Sequence, residues 1–220
     1  LSRFDLGLPG ETRVAARGEG LIPLSGPKED LSGTGSISLD SGQPLMLARA
    51  LVRMGASQSF AEALANLPRL SVSAELALDH GSIAARNIAV KAGEAEVGGA
   101  IRFLPADGNG GRPRYEAEVT ASGVDIAALP QFDGLLALAS GADIGLSLDA
   151  RDLGLGASGG DALGRLSALV EAGSQGIVVE YLNASGFGGA QIDAQGRIDA
   201  AGGRLGATID ADHPQALAAA

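Results

Sequence analysis

The chain has 220 residues, a formal charge of -10 and a pI near 4.6, with 34 Gly, no Cys, no Trp and 3% aromatics. Without Cys it can form neither disulfides nor thiolate metal sites, and 16 basic against 26 acidic side chains leave no footprint for nucleic acid. No apolar run reaches the ~20 residues that span a bilayer, and Leu1-Ser2-Arg3-Phe4-Asp5 has neither an initiator Met nor a basic leader. The chain therefore reads as an internal piece of a longer protein, with any anchor or export signal outside it.

In chain order, strands are expected at 12–22 and 33–40. Residues 44–67 break the pattern. Leu45, Leu47, Ala48, Leu51, Val52 and Met54 recur at helical spacing, and Phe60, Leu64 and Leu67 continue it beyond Gly55, with Ser57 or Ser59 as N-cap. Two short helices over one end of a sheet are predicted there. Period-two alternation then returns in Val72–Asp79, Val97–Phe103, Arg114–Ala121, Asp143–Ala150 and Gln191–Ala200, the mark of half-buried strands. Further strands are read at 163–171 and 176–183. Between 82 and 90 the phase slips: Ile83 and Ala85 share one parity, Ile88 and Val90 the other. A bulge near Arg86-Asn87 restores the face.

Turn chemistry separates the strands at Asp79-His80-Gly81, Lys91-Ala92-Gly93, Pro105–Gly111 and Ala201-Gly202-Gly203. Such short spacing between turns indicates antiparallel sheet. A strand followed by a short Ala/Leu helical turn recurs: Ser36–Asp40 before Pro44–Leu51, Tyr115–Ala121 before Val124–Leu129, and Arg204–Ala211 before Pro214–Ala218. Degenerate sheet repeats of this kind favour an open-ended architecture over a closed catalytic pocket. The expected organisation is strands of one repeat at 1–43, a helical insert at 44–68, a central β repeat at 69–153 and a C-terminal β repeat at 154–220.

Motifs that could carry chemistry are weak. Gly154-Leu155-Gly156-Ala157-Ser158-Gly159 spells a dinucleotide loop, but Gly160-Asp161-Ala162-Leu163-Gly164 is a poor helix start. Gly156–Gly160 also spells a nucleophile elbow around Ser158, with His213 and Asp193 or Asp199 in hydrolase order, yet the crossover helices of that fold are missing from the pattern. His80 and His213 lack ligand partners at metal spacing. Asp210 and Asp212 read as a solvated turn, and no acidic run forms a calcium loop. No cofactor, no metal and no catalytic residue are expected.

What remains is the apolar stripe. Alternation within strands and adjacency through hairpins place Val72, Leu76, Leu78, Val97, Ile101, Phe103, Tyr115, Val119, Ile144, Leu146, Leu148, Ile192, Ile198 and Ile209 on one continuous concave face. That face is either the core of a closed sandwich or an open trough for lipid acyl chains.

Gly81–Val90, Ala95–Ile101, Arg114–Leu129 and Gly188–Ala200 together resemble AsmA-family proteins. The resemblance implies an all-β, elongated, curved antiparallel sheet with an open β-taco groove. It also implies a periplasmic protein held in the inner membrane of a Gram-negative bacterium by an anchor outside this piece. Its expected role is phospholipid transport between inner and outer membranes, or outer-membrane biogenesis, with phospholipid acyl chains and envelope proteins as partners. The alternative from composition is a β-solenoid adhesin or autotransporter-type binding scaffold, whose coils recur every ~20–30 residues.

Overall fold

A computed structural model describes residues 2–21, 32–53, 55, 67–106, 111–124, 141–154, 164–187, 189–199 and 202–211. The strands are β1 (Ser2–Leu8), β2 (Thr12–Leu21), β3 (Ser32–Ser41), β4 (Leu70–Asp79), β5 (Ser82–Ala92), β6 (Ala95–Leu104), β7 (Arg114–Ser122), β8 (Asp143–Leu153), β9 (Gly164–Gly173), β10 (Gly176–Phe187), β11 (Ala190–Asp199) and β12 (Gly202–Ala211). They form a 12-stranded open sheet in which spatial order follows chain order. One short helix, α1 (Pro44–Arg53), sits between β3 and β4. The chain divides into two compact units, Leu1–Ala100 and Ile101–Ala220, with the division inside β6.

The expected all-β class and its short helix are therefore present. The second expected helix, over 56–66, and the helical turn after Ile126 lie outside the described residues. β1 was not expected as a separate strand, although Phe4, Leu6 and Leu8 already alternate with Arg3, Asp5 and Gly7. The tip of the β4–β5 hairpin has His80 at φ 46° and Gly81 at φ 80°. Two positive φ values in a two-residue loop match the twist of the flanking strands.

In the first unit the registers line side chains into rows across the sheet. Leu8 pairs Thr12, Thr12 pairs Ser41, Ser41 pairs Leu70 and Leu70 pairs Ala92. One step away run Leu6, Val14, Leu39, Val72 and Val90. At the expected slip, Ser73 pairs Ala89 but Glu75 pairs Arg86, so Ala74 faces two residues, Asn87 and Ile88. Asn87 takes φ 50°, and its Nδ2 donates to Glu75 Oε2 at 2.9 Å. The bulge keeps Ile83 and Ala85 on the same face as Val90 and Ala92.

Helix α1 covers the first of these rows. Its inward stripe places Leu47 (1% exposed) and Ala48 against Leu70, with Leu8, Leu39, Leu51, Leu67, Val72, Val90 and Ala92 packed around them. Beneath it the Thr12 and Ser41 hydroxyls are buried and share a 2.7 Å hydrogen bond. The helix entry is fixed by Gln43 N donating to Gly10 O at 3.0 Å. Gly10 has φ +82°, and a Cβ there would sit 2.5 Å from Gln43 O and 2.8 Å from Met46 Cβ. Only glycine fits beneath that turn.

The hydroxyl pair makes a testable asymmetry. Thr12→Val takes the 2.7 Å partner from the Ser41 hydroxyl and leaves it only the longer 3.4 Å bond to Gly10 O, which costs up to about 1–3 kcal/mol, whereas Thr12→Val with Ser41→Ala removes both hydroxyls and is expected to be closer to neutral. Urea unfolding of the single and double variants measures the difference. A double variant less stable than the sum of its singles would refute it.

The second unit departs from an all-antiparallel sheet between β7 and β8. β7 and β8 pair in parallel, Arg114 with Asp143 through Ser122 with Arg151. Parallel neighbours need a crossover of about a dozen residues or more, and the chain between Ser122 and Asp143 is long enough for one. The pair is pinned at both ends: Asp143 N donates to Pro113 O at 2.8 Å, and Gly154 N donates to Val124 O at 3.0 Å. β8, β9, β10, β11 and β12 then pair antiparallel in succession. β10 contains a bulge the alternation did not reveal. Val179 pairs Val170 but Tyr181 pairs Leu169, leaving Glu180 as the extra residue.

Candidate functional site

The registers show which side chains share a face within each unit. In the first unit Val72, Leu76 and Leu78 lie in rows with Leu39, Gly35 and Gly33 of β3. Lys91 Nζ meets Glu96 Oε1 at 2.7 Å across the β5–β6 hairpin. That ion pair occupies the opposite face, so alternation returns Val97 to the side of Val90 and Ala92. Leu6, Val14, Ala16, Ile37, Leu39, Ile83 and Val90 belong to the same side by register. None of them was among the expected site residues. Their signal was present in the alternation of 2–8, 12–22 and 33–40 and in the phase slip of 82–90.

In the second unit Tyr115 pairs Ile144, Val119 pairs Leu148, and Leu146 lies between Ala117 and Val170. Phe103 joins them, its ring centroid 5.0 Å from that of Tyr115 with the planes tilted 44°. Ile101 follows by alternation along β6. On the far side Ile177 pairs Ile198 and Ala184 pairs Ile192, which in turn pairs Ile209. The bulge at Glu180 brings both Ile177 and Val179, and then Leu182 and Ala184, onto this face despite their opposite parity. Register thus groups Val72, Leu76 and Leu78 in the first unit, and Tyr115, Val119, Ile144, Leu146, Leu148, Ile192, Ile198 and Ile209 in the second.

Exposure on these faces is the informative quantity. Every one of the expected residues is half-buried or exposed, from Val72 and Leu148 to Ile101 at 47% and Ile209 at 63%. Other apolar side chains are fully buried. In the first unit they are under α1. In the second they are Val124, Ala142, Ala150, Leu153, Ala168, Ala184 and Ala190, mostly alanines. Ala168 and Ala184 are buried in the same rows as Leu148 and Ile192, so on this face the larger side chains reach solvent beside small buried neighbours.

The opposite face is polar. In the second unit Arg114 Nε donates to Glu116 Oε1 at 3.0 Å, and its Nη2 reaches Glu171 Oε1 at 3.3 Å. Between them lies Gly145, where a Cβ would come within 3.2 Å of Arg114 Nη2. The missing side chain is what lets the guanidinium cross β8. The hydrogen bond to Glu116 is the main cause that raises the Arg114 pKa; burial opposes it, and the weaker bond to Glu171 adds to the rise. The guanidinium stays charged throughout the ordinary pH range. In the first unit the polar rows form shallow depressions, one of about 410 Å³ bordered by Arg17, Ser36, Glu75 and Arg86.

Residues singled out for catalysis do not assemble among the described residues. His80 sits exposed at its hairpin tip with Nδ1 2.6 Å from Asp79 Oδ1. Asp193 Oδ2 accepts from Gln191 Nε2 at 3.2 Å, and Asp199 lies 4.0 Å from Arg197. Ser158, His213 and Asp212 lie outside the described residues, as does the loop 155–160. No group of three or more His, Cys, Asp or Glu able to hold a metal occurs among the described residues. No described helix is long and apolar enough to cross a membrane. The chain matches no protein-family model, no curated protein and no solved structure.

Proposed function

We propose that the apolar sheet faces receive phospholipid acyl chains, and that the chain is a section of an AsmA-like periplasmic protein carrying phospholipid between the inner and outer membranes. The observation behind this reading is the exposure of the aliphatic face. Its Ile, Leu and Val side chains stay half-buried or exposed, Ile101 at 47% and Ile209 at 63% among them. Full burial of an aliphatic side chain is worth about 1.5–3 kcal/mol, so a sheet that leaves many of them half-covered forgoes much stabilisation unless something else covers them. An acyl chain does so at about 0.8 kcal/mol per CH₂ removed from water, and needs no specific side chain. A contiguous exposed apolar surface is the usual mark of an interaction site.

The hairpin ladder also differs from a β-solenoid, whose coils stack in parallel, and this counts against the adhesin-type scaffold. In this reading the protein is not an enzyme, the inner-membrane anchor lies outside this piece, and other envelope proteins are its partners. Mass spectrometry of lipids co-purifying with the detergent-free protein tests the proposal. Phospholipid in amounts approaching one or more per chain is the expected result. His80→Ala, Ser158→Ala and His213→Ala should leave that amount, and cellular function, unchanged. A protein that purifies free of lipid and also fails to extract labelled phospholipid from vesicles overturns the reading. Loss of function in any of the alanine variants, with folding intact, would revive a hydrolase.

A further inference from the structure

Helix α1 has two stripes, and the fold uses one. Pro44, Leu47 and Ala48 are buried against the sheet. Leu45, Met46, Arg49, Val52 and Arg53 are exposed. At 100° per residue these five fall within an arc of about 120°, so they form one continuous outer stripe. Its large apolar members are well exposed, Leu45 at 43%, Met46 at 40% and Val52 at 37%. Its charged members are both arginines, and α1 contains no acidic residue.

We infer that this outer stripe docks on the surface of an anionic phospholipid bilayer. A helix with apolar residues flanked by arginine lies in the interface with its apolar side chains among the acyl chains and its guanidinium groups at the lipid phosphates. The combination is out of keeping with the chain as a whole, whose formal net charge is -10. That overall charge does not prevent docking, because charges more than about 8 Å away are largely screened at physiological salt. Among the described residues, Glu11 lies beside α1, its Oε1 accepting from Gln43 Nε2 at 3.4 Å. It therefore sits at the helix N-terminus. Arg49 and Arg53 occupy the other half, Arg53 about 13 Å along the axis from Pro44. The inference uses residues other than those of the acyl-binding faces, so either can fail alone.

Co-sedimentation of the purified protein with phosphatidylcholine vesicles, and with vesicles containing equal phosphatidylglycerol, tests it. Wild type is expected to bind the anionic vesicles selectively and to be released by 0.5 M salt. Each arginine near such a surface contributes enough that removing two weakens binding roughly 30-fold, so Arg49→Glu with Arg53→Glu should lose at least that much. Arg49→Lys with Arg53→Lys should stay close to wild type. Leu45→Ser with Val52→Ser should weaken binding to the same vesicles while leaving the charge intact. Equal binding of wild type to both vesicle types, absence of binding to either, or undiminished binding by the glutamate variant overturns the inference. Vesicle capture by the open sheet faces would give the last of these.

Discussion

Ile101→Asp and Leu146→Asp are each expected to abolish phospholipid extraction from vesicles while leaving the sheet folded. Ile101 is nearly half exposed and Leu146 half-buried, in a row with Ala117 and Val170. A carboxylate at either position can turn toward water, so the folded state is not asked to bury a bare charge. The melting temperature should fall by no more than about 4 °C, the shift that ~1 kcal/mol produces in a chain of this size. An acyl chain on the same row would instead have to lie against a charge, and binding should drop below detection. A closed core predicts the reverse. There an unpaired buried carboxylate costs several kcal/mol against a total stability of roughly 5–15 kcal/mol. Collapse of both variants in a thermal melt would therefore mean a sandwich and end the carrier reading.

Leu47→Ala is expected to be the most destabilising single truncation in the first unit. The side chain is 1% exposed and touches the cluster built on Leu70 and Ala48. Losing it removes buried methyl groups and leaves a cavity between α1 and the row beneath, at a cost of about 2–5 kcal/mol. Leu45→Ala, on the outer stripe of the same helix, should change stability by no more than about 0.5 kcal/mol. Urea titration followed by circular dichroism compares the two. Equal losses would mean that α1 is not oriented as described.

Much of the strand pattern could be read locally. Val72–Asp79 and Asp143–Ala150 alternate cleanly because adjacent side chains in a strand leave on opposite sides, whatever the partner. The slip at Arg86-Asn87 was legible for the same reason: only an extra residue reconciles Ile83 and Ala85 with Ile88 and Val90. The bulge at Glu180 was not. Ile177, Val178, Val179, Tyr181 and Leu182 are almost all apolar, so no change of parity is visible there. β1 was missed because its alternation is short and its neighbours, Pro9 and Gly10, read as a turn.

Which strands meet is a different kind of fact. The turn residues predict hairpins, and most neighbours are hairpins. Nothing in Tyr115–Ala121 or Ile144–Ala150 states that these two strands run in parallel, since that depends on a connection long enough for a crossover and on the bonds of Asp143 N and Gly154 N at the two ends of the strand pair. The apolar face follows the same division. Its membership in each strand was determined by the sequence, through the period of two. Its exposure was decided by the tertiary structure, because a side chain is buried only where a second layer arrives. In the first unit α1 reaches the row of Leu8, Ser41 and Leu70, while Ile83 and Leu76 remain open to solvent.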